Sequence, residues 1–298
     1  MSQPSLFDSE TVLPDAGMAE RAKGLLGFDK RYARVRDQLR LLLDAGALEA
    51  WNRKHHGGKL LLAGLVAEQH PFVIFHGDVG TGKTAMAECI ANRLVAESGT
   101  SDSTLFKLSN RVRGKGMVGE MGSLLTEAMA KVTLSAGKSR RAILVIDEGD
   151  SLGASRAHDH SHHEDKVAVN TLIQAIDDLR RYGGRVVVIL CTNRLSVLDS
   201  ALRRRAAIVE AFNRPTAEER RDLFTMDIAD LPHTPTQLKK LVELTGARDL
   251  HPGWTYSDIR TRLYPVAVAR AYPIRGLQFD DLLAVADELR GSPVMEDK

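Results

Sequence analysis

Cysteine is nearly missing from this 298-residue chain, which has only Cys89 and Cys191. One falls in a helical pattern and the other ends a strand-like run, so a disulfide framework is excluded and both read as small core residues. Long apolar runs are missing too. Leu60 to Val66 is interrupted by Gly64 and Val186 to Cys191 is short, whereas a membrane-spanning helix needs roughly 20 such residues. The N-terminus has no basic stretch followed by an apolar one, so no signal peptide is expected and the cytoplasm is the default compartment. Neither charge sign is in excess: a formal net charge of +2 argues neither for nor against nucleic acid. What remains, 43% apolar and 27% charged residues, is the composition of a globular protein with room for one large α/β domain and a smaller appendage.

Residues 1–20 carry Pro4, Pro14, Gly17 and scattered acids without apolar periodicity, which predicts a mobile tail. Within it, Gln3-Pro4-Ser5-Leu6-Phe7 resembles the short peptide with which bacterial proteins engage the replication sliding clamp; an unstructured end is the alternative. From Asp29, the spacing of Val35, Leu39, Leu42 and Leu43 suits an amphipathic helix. Five β-rich runs follow, at Phe72 to His76, Leu105 to Leu108, Ile143 to Ile146, Val186 to Cys191 and Ile208 to Phe212. Each is succeeded by a helical pattern, which predicts a parallel sheet covered on both faces. After Pro215 only helical patterns remain, opened by a capping-box pair, Thr216 and Glu219. The expected division is a tail over 1–20, a large α/β domain over 21–214 and a small helical domain over 215–298.

Gly77-Asp78-Val79-Gly80-Thr81-Gly82-Lys83-Thr84 matches G-x-x-x-x-G-K-T and stands between a strand and a helix, the context the motif requires. Its glycines let backbone N–H groups turn towards phosphate oxygens, Lys83 reaches the β- and γ-phosphates, and Thr84 can ligate Mg²⁺. The run Ile143 to Ile146 ends in Asp147 and Glu148 at the edge where open α/β sheets bind ligands. Asp147 would hold Mg²⁺ through water, and Glu148 would orient or deprotonate the attacking water. Asn193, at the end of the next strand, could hydrogen-bond that water or the γ-phosphate; a turn residue is the bland reading. Arg203, Arg204 and Arg205 lie just before the last strand. One of them could serve as an arginine finger, and a solvated basic patch is the alternative. His158-Asp159-His160-Ser161-His162-His163 has zinc-type ligands but no cysteine and no regular spacing, so a loop is expected there in preference to a metal site.

These motifs, in this order, identify the chain as resembling the AAA+ superfamily over about residues 25–290. The resemblance implies a five-stranded parallel sheet of order 5-1-4-3-2, a C-terminal helical lid, and a homo-hexameric ring with ATP and Mg²⁺ between subunits. Within the superfamily the stretch from Val112 to Phe212 is similar to the pachytene-checkpoint remodelers, which open HORMA-domain proteins. On that resemblance Met117 and Val118 are the pore-loop side chains that grip substrate, Arg205 is the preferred finger with Arg204 second, and Asn193 is the first sensor. Ser257 stands where an arginine of the second sensor belongs, and Arg260 is the candidate to compensate for it. The His-rich tract falls where a second pore-facing loop is expected. The compact layout resembles bacterial members acting in cyclic-oligonucleotide antiphage defence, which implies a HORMA substrate and a nucleotidyltransferase–HORMA complex as partners, with neither membrane nor nucleic acid. A DNA-associated AAA+ motor or loader, and a nucleotide-gated scaffold, are the competing readings.

Overall fold

The computed structural model describes residues 5–43, 45–100, 102–109, 112, 120–138, 140–151, 163–248 and 250–295. The chain divides into two compact units, one built from Met1–His76 and Thr84–Ala211, the other from Gly77–Lys83 and Phe212–Glu296.

Six strands make one mixed sheet: β1 (Phe7–Leu13), β2 (Phe72–Gly77), β3 (Ser103–Leu108), β4 (Ala142–Ile146), β5 (Val186–Thr192) and β6 (Ile208–Phe212), in the order β1-β3-β4-β5-β2-β6. The pairs β3–β4, β4–β5 and β2–β5 are parallel. β4 and β5 are buried along their whole length, as central parallel strands covered on both faces must be. Successive strand residues alternate between those faces. Phe72, Ile74, Leu144, Ile146, Val188 and Leu190 join one core with Leu125 and Val132 of α6 (Glu120–Ser135) and Leu172 and Ile176 of α7 (His163–Asp178). Val73, Phe75, Ile143, Val145, Val187 and Ile189 are buried on the opposite face, the side left for α2 (Phe28–Leu43) and α5 (Lys83–Ser98). Those two helices meet where the Arg93 guanidinium lies 4.5 Å from the Tyr32 ring centroid.

The expected five-stranded parallel sheet is therefore corrected to six strands of mixed direction, and the source of the extra strand is the supposed mobile tail. β1 pairs antiparallel with β3, from Phe7 opposite Leu108 to Leu13 opposite Ser103. Phe7 and Leu13 are buried while Asp8, Ser9 and Glu10 are exposed, so this edge strand shows the core only its two ends and has no period-2 signal. The Phe7 ring packs on Phe106 with centroids 4.9 Å apart. Lys131 Nζ donates to Glu10 Oε1 at 2.6 Å, and Asp15 then caps α1 (Ala16–Lys23) by accepting from the Met18 N–H at 2.7 Å. Phe7 thus belongs to the core and is not displayed on a free clamp-binding peptide. Phe7→Ala is expected to cost about 3 kcal/mol of stability, read as a lower denaturant midpoint; an unchanged midpoint would return the segment to a tail.

The second unit contains α9 (Ala217–Asp227), α10 (Pro235–Leu244), a π-helical segment (Asp258–Leu263) that runs into α11 (Tyr264–Ala271), and α12 (Phe279–Glu288). The capping box read from sequence is present, with Thr216 N–H donating to Glu219 Oε2 at 2.8 Å and Glu219 N–H to Thr216 Oγ1 at 3.2 Å. Leu223, Phe224, Leu241, Trp254, Ile259, Leu263, Leu282 and Val285 are all buried in this unit. Among the described residues no helix is long and apolar enough to cross a membrane.

Candidate nucleotide site

The phosphate-loop motif begins where β2 ends, at Gly77, and α5 begins at Lys83. Gly77 sits at φ 143° and a Cβ there would come within 2.0 Å of the Phe212 carbonyl oxygen, so no other residue fits. Gly80, at φ 76°, would bring a Cβ to 2.7 Å from Thr255 Oγ1, and its carbonyl accepts the Ser257 N–H at 3.0 Å. Both positions need glycine for conformation and for close approach. Lys83 is buried, and its ammonium donates to the carbonyls of Gly77 (2.9 Å) and Asp78 (2.8 Å). Thr81 Oγ1 also donates to the Asp78 carbonyl, at 2.8 Å. The loop is thus closed by its own side chains around a helix N-terminus, where backbone N–H groups and the helix dipole favour an anion. Val79 and Gly82 line the same loop, Val79 half exposed and Gly82 at φ 90°.

In the first unit, Thr84 Oγ1 donates to Asp147 Oδ2 at 2.8 Å. This brings together a hydroxyl and a carboxylate that lie far apart in sequence, and they are the hard oxygen donors that Mg²⁺ prefers. Asp147 Oδ1 accepts the Glu148 N–H at 2.9 Å. Glu148 is exposed and takes φ 50°, a left-handed conformation uncommon for a residue with a Cβ and found disproportionately at functional sites. The turn is completed by Gly149, where a Cβ would lie 2.4 Å from Leu190. Asp150 was not singled out from sequence as a site residue. Its Oδ1 accepts from Thr192 Oγ1 (3.2 Å) and the Asn193 N–H (3.4 Å), fixing the end of β5 against the turn after β4. The only sequence signal for this was an acid three positions past Asp147.

Arg205 ends α8 (Ser200–Arg205), and its guanidinium is forked on Asp177, Nε to Oδ1 at 2.6 Å and Nη2 to Oδ2 at 2.9 Å. Nη1 donates to the Ala201 carbonyl at 3.2 Å. The Arg205 fork holds the Asp177 carboxyl below its ordinary range. His70 Nε2 lies 3.0 Å from Asp177 Oδ1, but burial, with Arg180 nearby, pushes the imidazole towards its neutral form. Arg203 and Arg204 are exposed. Arg260, the candidate to compensate at the second sensor, is forked on Asp227, Nε to Oδ2 at 2.8 Å and Nη2 to Oδ1 at 2.7 Å. Met117, Val118 and His158–His162 lie outside the described residues.

The family model for ATPases associated with various cellular activities (AAA) matches residues 73–214, the stretch holding the loop, both acids, Asn193 and the arginines. An Escherichia coli (strain KTE188) protein named CD-NTase-associated protein 6 is 63% identical over 297 residues, covering 100% of both chains. The chain belongs to the AAA ATPase family. A chain in the structure of the E. coli MS115-1 HORMA:CdnC:Trip13 complex superposes on this AAA ATPase with a TM-score of 0.91 at 35% identity, covering 99% of this chain and 100% of that one. The structure of Rhizobiales Trip13 gives 0.73 at 31% identity, over 96% and 99%. Members of this family are ATPases, and the chemistry of this AAA ATPase is hydrolysis of ATP.

Proposed function

We propose that this AAA ATPase is a remodeler that engages a HORMA-domain protein through the pore loops of a homo-hexameric ring and partly unfolds or disassembles it, in the cytoplasm, as part of a bacterial antiphage signalling system. The observation that carries the reading is the end-to-end likeness to a chain of the E. coli MS115-1 HORMA:CdnC:Trip13 complex. A nucleotidyltransferase–HORMA complex is accordingly the expected partner. In the ATPase cycle, the backbone N–H groups from Gly77 to Thr84 receive the phosphates, and the Lys83 ammonium leaves the Gly77 and Asp78 carbonyls for the β- and γ-phosphate oxygens. Thr84 and Asp147 would hold Mg²⁺, Asp147 through water; the ion supplies neutralisation of phosphate charge when bound. Glu148, set apart on its left-handed turn, orients or deprotonates the attacking water. Asn193, anchored through Asp150, hydrogen-bonds that water or the γ-phosphate. Arg205, with Arg204 as its alternate, serves the ATP of a neighbouring subunit, which gives turnover its dependence on the ring. Met117 and Val118 grip the substrate, a task a flexible thioether side chain suits.

The test is steady-state ATPase activity with Mg²⁺, titrated separately with a HORMA-domain protein and with duplex DNA. Stimulation by the HORMA protein alone is expected, and Met117→Asp should lose the stimulated increment. Stimulation by DNA alone would overturn the remodeler and leave the DNA-associated motor or loader in its place.

A further inference from the structure

Within the phosphate loop, Asp78 is an anomaly: a carboxylate in a loop whose task is to receive a polyanion. Its side chain is only 11% exposed and is paired with Arg214, itself 14% exposed. Arg214 Nε donates to Asp78 Oδ2 at 2.6 Å. Asp78 Oδ1 accepts from its neighbour's N–H, Val79, at 2.8 Å and from the Met295 N–H at 3.2 Å. The rest of the guanidinium is spent on two carbonyls, Gly253 by Nη1 at 2.6 Å and Pro293 by Nη2 at 3.0 Å. The C-terminal segment is itself pinned. Ser292 donates twice to the buried Asp258, Oγ to Oδ1 at 2.5 Å and N–H to Oδ2 at 3.2 Å, and a Cβ on Gly291 would come within 2.8 Å of the Pro252 carbonyl oxygen. Burial alone would raise the Asp258 carboxyl, but bonds from Ser292, Thr255 and Arg262 outweigh it and hold it down to about 2. Every group in this network belongs to the second unit.

We propose that Arg214, together with the C-terminal segment 291–295, is a clasp that positions the phosphate loop for ATP and cancels the charge of Asp78. The proposal rests on reading Gly77–Thr84 as the loop that receives ATP phosphates. The clasp does two things at once. It fixes the loop's first turn through the bonds from Arg214 and Met295, while the Ser257 N–H fixes its fourth residue through the Gly80 carbonyl. It also prevents a buried carboxylate from standing uncompensated beside a triphosphate, which would be costly because an unpaired charge in a poorly solvated place keeps its full repulsion. Arg214 and Met295 are therefore positioning residues, acting on ATP through the loop.

The experiment is equilibrium binding of a fluorescent ATP analogue, with KM and kcat measured in parallel, on the full chain and its variants. Arg214→Gln is expected to weaken binding by about tenfold or more, as loss of one partner of a buried pair does, with the effect in KM and a smaller change in kcat. Adding Asp78→Asn to Arg214→Gln is expected to recover most of the lost affinity, because the repelling charge goes with its partner. Arg214→Lys should bind better than Arg214→Gln, since it keeps the charge without the fork. Truncation after Arg290, which leaves α12 whole, should also raise KM. Binding by Arg214→Gln within about twofold of the unaltered chain, or a double variant no tighter than Arg214→Gln, overturns the clasp. Lys83→Ala separates the two premises: if it binds ATP normally, the phosphate-loop reading itself fails; if it loses binding while Arg214→Gln does not, only the clasp fails.

Discussion

Glu148→Gln is expected to reduce ATP turnover by about a hundredfold or more while ATP binding and subunit assembly persist. The substitution keeps the size and hydrogen-bonding shape of the side chain and removes only its capacity to take a proton. It also leaves the backbone that positions it intact: the N–H bond to Asp147 Oδ1 and the close packing of Gly149 on Leu190 do not involve the carboxylate. A position that adopts φ 50° without being glycine carries a conformational cost, which the fold sustains to set this side chain apart from Asp147. Steady-state hydrolysis, analogue binding and size-exclusion chromatography with ATP make the comparison. Turnover lost together with binding would mean that Glu148 holds the loop's surroundings and does not act on water.

Arg205→Ala is expected to lower kcat by about a thousandfold, the scale of removing an arginine finger, and Arg204→Ala by far less. Arg205 projects from the end of α8 with its guanidinium clamped in the plane set by Asp177 and the Ala201 carbonyl. A side chain of that length, held in one rotamer by two parallel bonds, loses little further entropy when it meets a phosphate. Arg204, exposed and unforked, would have to be ordered at each turnover. Action across a subunit boundary has its own signature. Mixing inactive Arg205→Ala subunits with inactive Glu148→Gln subunits should restore part of the activity, because some boundaries then pair an intact finger with an intact Glu148. A mixture as inactive as its components would confine Arg205 to bracing α7 against α8, and an Arg204→Ala variant with the larger loss would transfer the role to its neighbour.

Much of the candidate site was legible because its chemistry is written in contiguous residues. A phosphate loop needs its glycines, lysine and threonine at fixed offsets, and two acids after a fully apolar strand mark a sheet's carboxyl edge. The contact of Thr84 with Asp147 follows once the helix and β4 are in place. Other features rest on partners distant in sequence. β1 carries acids between its two buried ends, and only its pairing with β3 turns Phe7 and Leu13 inward. The fork of Arg205 on Asp177 joins α8 to α7, and that of Arg260 on Asp227 joins the π-helical segment to α9. No local pattern announces such pairs, so a basic run could be read for its charge but not for which guanidinium is engaged. Arg214 illustrates the same limit, because its partners at Asp78, Gly253 and Pro293 converge only in three dimensions.

The placement of β1 also orders events on the ribosome. Phe7–Leu13 is made well before the strand it pairs with, Ser103–Leu108, with α1, α2, β2 and α5 between them in the chain. Non-local pairing of this kind has to wait for loop closure, so the nascent chain carries an unpaired acidic strand through much of the synthesis of this unit. Asp8 and Glu10 then act as gatekeepers, their charge discouraging premature association with other chains until β3 arrives.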